Sequence, residues 1–118
     1  MAHGDVHYLR LTGDRSKSKG FYGKLFSWTF QDEIQVGGKY YTPWVDGTGP
    51  GGDVVAPDPG EAVDWFPFVE VTSIDATILL AEANGGKKVL GKTDWVRPQS
   101  YAIIKDPSGA LIGLWQLK

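Results

Sequence analysis

The spacing of apolar side chains changes along the chain, and each change predicts a new element. Val6 to Leu11 reads as a strand, and Asp14 just beyond it can cap a helix by accepting from the free N–H groups of the first turn. Phe21, Tyr22, Leu25 and Phe26 then recur at i, i+1, i+4 and i+5, which predicts a helix of about three turns with one apolar stripe. Gly20 and Gly23 weaken it by up to ~1 kcal/mol each relative to alanine, so packing of the stripe must hold it. Three extended pieces follow: Ser27 to Ile34, Lys39 to Val45 after the Gly37–Gly38 turn, and Asp53 to Ala56 beyond the Gly/Pro-rich stretch from Gly47 to Gly52. Pro57, Pro59 and Gly60 predict a loop in the middle of the chain.

The second half repeats that order. Trp65 to Val71 reads as a strand, with Thr72 and Ser73 as capping candidates. Ile74, Ile78 and Ala81 mark a helix stripe, closed by Asn84-Gly85-Gly86, residues that tolerate positive φ. Lys88 to Leu90, Tyr101 to Ile104 and Ala110 to Leu117 are the three strands expected next, the last two joined by a tight turn at Asp106-Pro107-Ser108-Gly109. Leu11-Thr12 lines up with Val71-Thr72, and Gly52-Asp53-Val54-Val55 with Ile112-Gly113-Leu114-Trp115, both at an offset of 60. Equal offsets predict an internal duplication of a strand-helix-three-strand unit. Neither half could bury its sheet alone.

Composition narrows the classes of function. With 118 residues, 42% hydrophobic and 22% charged, the chain suits one soluble globular domain. Its net charge of −2 and the lack of a basic cluster argue against a nucleic-acid partner, since Lys17 and Lys19 alone read as a solvated helix face. There is no cysteine, which removes disulfides, thiolate catalysis and thiolate zinc sites and fits a reducing compartment. No stretch approaches the ~20 apolar residues of a membrane span, and Met1 to Tyr8 has no apolar run of signal-peptide length, so no membrane partner and a cytoplasmic location are expected. Gly47-Thr48-Gly49-Pro50-Gly51-Gly52 is glycine-rich but lacks the Lys-Ser/Thr of a phosphate loop. The load of five tryptophans and five tyrosines predicts either a thick core or an aromatic pocket.

Several segments in order carry a family resemblance. His7 is followed fourteen residues later by Phe21-Tyr22 within VHYLRLTGDRSKSKGFYGKLFSW, Ala83-Asn84-Gly85-Gly86 ends the second helix, and Lys105-Asp106-Pro107-Ser108-Gly109 precedes the last strand. Together they resemble the vicinal oxygen chelate superfamily of glyoxalase I, bleomycin-resistance proteins and extradiol dioxygenases. The ending from Gly109 to Gln116 is similar to a glyoxalase-like branch of that superfamily without an assigned function. The resemblance implies an α+β fold in which two βαβββ units form curved mixed sheets around a central cleft, with the helices outside. It would be one domain spanning 1–118, with unit one about 5–57 and unit two about 63–118.

The resemblance also implies a metal site built from the first and last strand of each unit. On those positions this chain has His7 and Asp53 in the first unit, and Phe66 or Pro67 together with Gly113 in the second. Two of the four have no metal-binding side chain, so no cofactor is expected, with weak binding of a divalent metal at His7 and Asp53 left open. His7 and Asp53 are the candidate catalytic residues. If Gly113 faces the cavity, alternation puts Leu111 and Trp115 beside it and sends Ile112 and Leu114 towards the helices. Gly113 would then open space beside Trp115, and His7 would share its face with Leu9 and Leu11. The candidate ligand-binding set is Leu9, Trp44, Phe66, Trp95, Tyr101, Gly113 and Trp115.

Each of these has a plainer reading. His7 can be a pocket-wall histidine, Asp53 a turn residue, and any one of Trp28, Trp44, Trp65, Trp95 and Trp115 a core or interface side chain. Glu70 can be solvated or a base, and Arg97 a surface cation or a partner for an anionic ligand. The leading expectation is a metal-independent protein that binds an apolar or aromatic small molecule. A lyase- or isomerase-type enzyme with His7 as general base, helped by Asp53 or Glu70, is the first alternative. A divalent-metal-dependent glyoxalase- or dioxygenase-like enzyme is the second. The aromatic load also predicts a homodimer.

Overall fold

Short polar side chains set where both helices begin. Asp14 accepts from the Lys17 N–H at 2.8 Å and starts α1 (Arg15–Phe26), and Ser73 accepts from the Ala76 N–H at 3.1 Å and starts α2 (Ile74–Ala83). Gln116 adds a third cap, its Oε1 taking the Ile74 N–H at 2.7 Å. The structure is a computed structural model that describes residues 3–96 and 98–117, apart from the side chain of His7. Among the described residues the strands are β1 (Val6–Thr12), β2 (Thr29–Phe30), β3 (Ile34–Val36), β4 (Lys39–Val45), β5 (Gly52–Val55), β6 (Asp64–Glu70), β7 (Lys87–Asp94), β8 (Ser100–Lys105) and β9 (Leu111–Gln116).

The chain divides into two compact units, one of Tyr8–Trp65 and one of Met1–His7 with Phe66–Lys118. In the first, the strand order is β2-β4-β5-β1, with β3 also on β4; β1 and β5 are parallel and the other pairs antiparallel. In the second the order is β6-β9-β8-β7, with β6 and β9 parallel. Each is a mixed sheet with one helix, the strand-helix-strands unit given twice in an α+β fold.

Two expected boundaries move. The extended piece expected over Ser27 to Ile34 is two strands, because the register on β4 slips by one residue between Phe30 opposite Trp44 and Ile34 opposite Tyr41, which leaves Gln31-Asp32-Glu33 across from Thr42-Pro43. The Gln31 N–H goes to the Pro43 carbonyl at 2.8 Å, and the Glu33 carboxylate turns to Arg15 and the Thr42 hydroxyl. The piece expected over Lys88 to Leu90 is longer, running through β7 with register shifts on either side of Leu90.

The duplication holds with a drifting offset. Thr12 pairs with Val55 as Glu70 pairs with Trp115, which puts 58 residues between the first strands of the units and 60 between the last. The caps Asp14 and Ser73 lie 59 apart. The common offset of 60 is therefore corrected: the second unit gains one residue before its helix and one after. In register, Arg10 opposite Asp53 corresponds to Phe68 opposite Gly113.

Each sheet has a helix-side core. In the second unit Ile74 and Ile78 of α2 pack with Val71, Ala102, Ile104 and Leu114, and Ala81 and Ile112 border them. Ile112 and Leu114 thus face the helix as alternation predicts. In the first unit Leu11, Trp44 and Val54 are buried, with Leu9, Tyr22, Trp28, Phe30 and Trp65 against them. Of the stripe expected to hold α1, only Tyr22 joins that core; Phe21, Leu25 and Phe26 are 57%, 57% and 54% exposed.

Candidate functional site

Parallel pairing of β1 with β5 sets Arg10 directly across from Asp53. Arg10 Nε donates to one carboxylate oxygen at 2.8 Å and Nη2 to the other at 2.9 Å, a two-pronged pair in which both residues are buried. Nη2 also reaches the Tyr8 hydroxyl at 3.3 Å, and the guanidinium lies over the Tyr41 ring at 5.0 Å. Burial works against the charge of Arg10, but the charge and hydrogen bonds of Asp53 outweigh it, so the arginine pKa is held above its ordinary value. Asp53, a candidate for a turn or a pocket, is a strand residue with both oxygens engaged. Arg10 escaped the sequence reading. Its signal was an arginine in phase with Tyr8 and Thr12 inside an otherwise apolar strand.

On β9, Gly113 faces away from α2, yet it opens no space. A Cβ there would stand 2.4 Å from the ring of Phe68, its cross-strand neighbour on β6. The expectation of room beside Trp115 is corrected: the missing side chain is replaced by a phenyl ring from the next strand. Phe68 lies 5.5 Å from Phe66 and 6.2 Å from Tyr101, and Tyr101 meets the edge of Trp95 at 5.7 Å. Trp115 pairs with Tyr101 in register and shares this helix-free face. Phe66, Trp95, Tyr101, Gly113 and Trp115, five of the seven candidate ligand contacts, therefore belong to one aromatic row in the second unit.

The other two do not. Leu9 borders the helix-side core of the first unit with Leu11, so the face expected to line a cavity there is the face covered by Tyr22 of α1. Trp44 is buried in the same core, stacked on Trp28 at 4.1 Å and 5° and meeting the edge of Trp65 at 6.2 Å. Glycine explains the fit: a Cβ on Gly52 would be 2.7 Å from the Trp44 ring. Leu9 and Trp44 are core residues. The helix-free face of the first unit instead carries Arg10, Tyr41 and Asp53.

A divalent metal does not fit these donors. Asp53 spends both oxygens on Arg10, Gly113 has no side chain and is covered by Phe68, and Phe66 and Pro67 offer no ligand atom. Among the described residues no three His, Asp or Glu side chains could share an ion. The side chain of His7 and the whole of Arg97 lie outside the described residues. Glu70 is half-buried at the end of β6, where its backbone binds Gly4 and Asp5. A groove of about 590 Å³ runs along the start of α1, lined by Asp14, Arg15, Lys19, Phe30 and Glu33, and none of the candidate residues borders it.

No family model matches the chain. Over 110 residues, 89% of its length, it is 30% identical to the proteins named "Putative glyoxylase CFP32" from Mycobacterium bovis and Mycobacterium tuberculosis, and it spans 42% of their length. A hypothetical protein from Bacillus halodurans superposes on it with a TM-score of 0.74 at 14% identity, covering 98% of this chain and 95% of its own. Methylmalonyl-CoA epimerase from Mycobacterium tuberculosis gives 0.72 at 14% identity, with 98% and 88% covered. A Streptomyces coelicolor methylmalonyl-CoA epimerase in complex with 2-nitronate-propionyl-CoA gives 0.69 at 12% identity, with 98% of each chain covered. The chain shares the fold of these epimerases, and its sequence likeness to the mycobacterial proteins covers less than half of their length.

Proposed function

We propose that this chain is a metal-independent small-molecule-binding domain of the vicinal oxygen chelate superfamily, taking a flat, apolar or aromatic ligand. The observation that carries this reading is the aromatic row Phe66–Phe68–Tyr101–Trp95 on a helix-free strand face, where the superfamily's carboxylate position is a glycine under a phenyl ring. Phe66, Phe68 and Tyr101 are buried, so a ligand would meet the row at the half-buried Trp95 end, where aromatic stacking has little conformational cost. The engaged Asp53 carboxylate supports metal independence from the other unit. The domain works in the cytoplasm and pairs as a homodimer through the apolar side chains that α1 exposes. No helix among the described residues is long and apolar enough to cross a membrane.

A second reading has the fold of the epimerases behind it. His7, in β1, would move a proton beside the carbonyl of a substrate such as a thioester, making the domain a metal-free lyase or isomerase. The two readings part on one variant. His7→Ala leaves binding of an aromatic ligand intact if the domain is a binder, and lowers turnover by roughly 10²–10⁴-fold if it is that enzyme.

The test of the leading reading is elemental mass spectrometry on protein purified without chelator, with calorimetric titration of 2-acetylnaphthalene in the presence and absence of EDTA. Metal far below one ion per chain and EDTA-insensitive, saturable binding are expected. Near-stoichiometric zinc, nickel, iron or manganese would overturn metal independence, and no binding would overturn the ligand class.

A further inference from the structure

We propose that the groove along the start of α1 binds a neutral polyhydroxylated ligand, a short uncharged oligosaccharide. All of its lining residues belong to the first unit, and none of those assigned above to an aromatic ligand borders it. It is a second site and stands independently of that reading.

The internal duplication shows how this corner looks when it is closed. With the helix caps 59 residues apart, Arg15 and Lys19 stand at the positions of Ile74 and Ile78, which are buried on the sheet of the second unit. On the strands, Thr42 opposite Val54 corresponds to Ala102 opposite Leu114, and Ala102 is fully buried core. Ala56, just beyond β5, stands at the position of Gln116, whose amide oxygen accepts from the Ile74 N–H at 2.7 Å. Arg15, Lys19, Thr42 and Ala56 all line the groove of about 590 Å³. Two isoleucines, an alanine and a glutamine in one unit are thus two cations, a hydroxyl and a methyl in the other. A sequence that gives up the apolar stripe at the start of its own helix breaks a local rule, and such breaks gather at functional sites. The space left lies within the roughly 300–1,000 Å³ of small-ligand sites.

The polar groups around it are partly spent on one another and partly open. Glu33 Oε2 pairs with Arg15 and also accepts from the Thr42 hydroxyl at 3.2 Å, and Thr42 itself is buried. Glu33 Oε1 and the side chains of Lys19 and Asp32 have no partner among the described residues. These are open acceptors and an open donor side by side, and a hydroxyl is the one group that serves both kinds at once. Phe30, half-buried at the same groove, gives the C–H face of a sugar ring an apolar surface.

Charge selects the class of ligand. Asp14, Asp32 and Glu33 repel an anion, and Arg15 and Lys19 repel a cation. A zwitterion would have to break the Arg15–Glu33 pair from both sides to be held by it. A neutral diol adds to that pair, one hydroxyl donating to Glu33 Oε1 and its neighbour accepting from the guanidinium.

The test titrates isotope-labelled protein by NMR with maltotriose, cellotriose, mannotriose and triacetylchitotriose, and in parallel with inorganic phosphate, spermidine and diglycine. At least one trisaccharide should bind saturably and shift the amides of Ser16 and Thr42. Its affinity should change by less than about twofold on adding salt, because no net charge is screened. Ala56→Gln, which installs the residue of the second unit, should weaken that sugar about tenfold or more. The melting temperature of this variant should be unchanged or higher, since the new amide oxygen can cap Arg15 as Gln116 caps Ile74. Thr42→Ala, again the second unit's residue, should weaken the same sugar by itself. No binding of any trisaccharide, tighter binding of phosphate, spermidine or diglycine, steep salt dependence, or a sugar affinity untouched by both variants would each overturn the proposal. Failure of the naphthalene titration would remove the aromatic-ligand reading alone and leave this site standing.

Discussion

Phe68 occupies the volume that a side chain at Gly113 would need: a Cβ built there stands 2.4 to 2.5 Å from three atoms of the ring. Glycine on β9 is therefore a packing requirement of β6. Gly113→Ala is expected to destabilise the protein by about 1–3 kcal/mol through overpacking, measured by urea denaturation. Gly113→Glu, which adds a carboxylate where the family resemblance implies a metal ligand, should be worse, with no gain in zinc or nickel binding by calorimetry. Combining Gly113→Ala with Phe68→Ala should cost less than the sum of the two single changes, because the methyl enters the space the ring leaves. Strict additivity would mean that the two side chains do not compete for that space.

The Arg10–Asp53 pair predicts an asymmetry between single and paired changes. Arg10→Ala leaves a buried carboxylate and Asp53→Ala a buried guanidinium, so each should cost about 3–5 kcal/mol in denaturant melts. Arg10→Lys should recover only part of this, since an ammonium cannot hold both carboxylate oxygens in the planar fork that Nε and Nη2 make. Equal stability of the lysine variant and the parent would show that charge alone suffices there.

What could be read in the sequence followed from local chemistry. Asp14 and Ser73 announced the helix starts because a short polar side chain can close a first turn by itself, and Ile112 and Leu114 announced their facing because alternation along one strand is rigid. Facing failed where it depended on which sheet face the helix covers. Leu9 and Leu11 look the same in sequence whether α1 lies over them or away from them, and only Tyr22 against that core decides it. The Arg10–Asp53 pair joins positions 43 apart and depends on the register of β1 on β5, which no local pattern encodes. The filling of Gly113 likewise belongs to its neighbour on another strand.

Trp44 brings a prediction of opposite sign to the usual aromatic truncation. Its ring is buried against Trp28, yet its Nε1 has no hydrogen-bond partner among the described residues. A buried, unsatisfied donor carries a penalty of about 1–3 kcal/mol. Trp44→Phe removes that donor along with part of the ring, so the two effects offset and the net loss should stay near or below about 1 kcal/mol. Trp44→Ala keeps no ring and should cost about 3–5 kcal/mol. A phenylalanine variant as unstable as the alanine variant would show that ring area, with no relief from the lost donor, controls this site.

Asp106 supplies the chain's clearest pH signature. Its carboxylate accepts from the Ser108 hydroxyl at 2.6 Å, the Ser108 N–H at 2.9 Å and the Ala110 N–H at 3.0 Å, closing the turn between β8 and β9 with Gly109 at φ +98°. The Ser108 hydroxyl first and the Ala110 N–H second hold its pKa below the ordinary 3.8; desolvation opposes them, and the Ser108 and Gly109 N–H groups add smaller contributions in the same direction. A carboxyl that is more acidic folded than unfolded stabilises the fold fully above pH 3.8 and loses that contribution as the pH falls through its depressed folded value. Asp106→Asn should therefore lower the melting temperature at pH 7, and the gap between variant and parent should close on acidification below pH 3.8, not on raising the pH. Because the turn is fully exposed, the effect should be small enough that differential scanning calorimetry at matched pH is needed to resolve it. A gap that stays constant between pH 7 and pH 2.5 would mean that the turn draws on the hydrogen-bonding shape of the side chain and not on its charge.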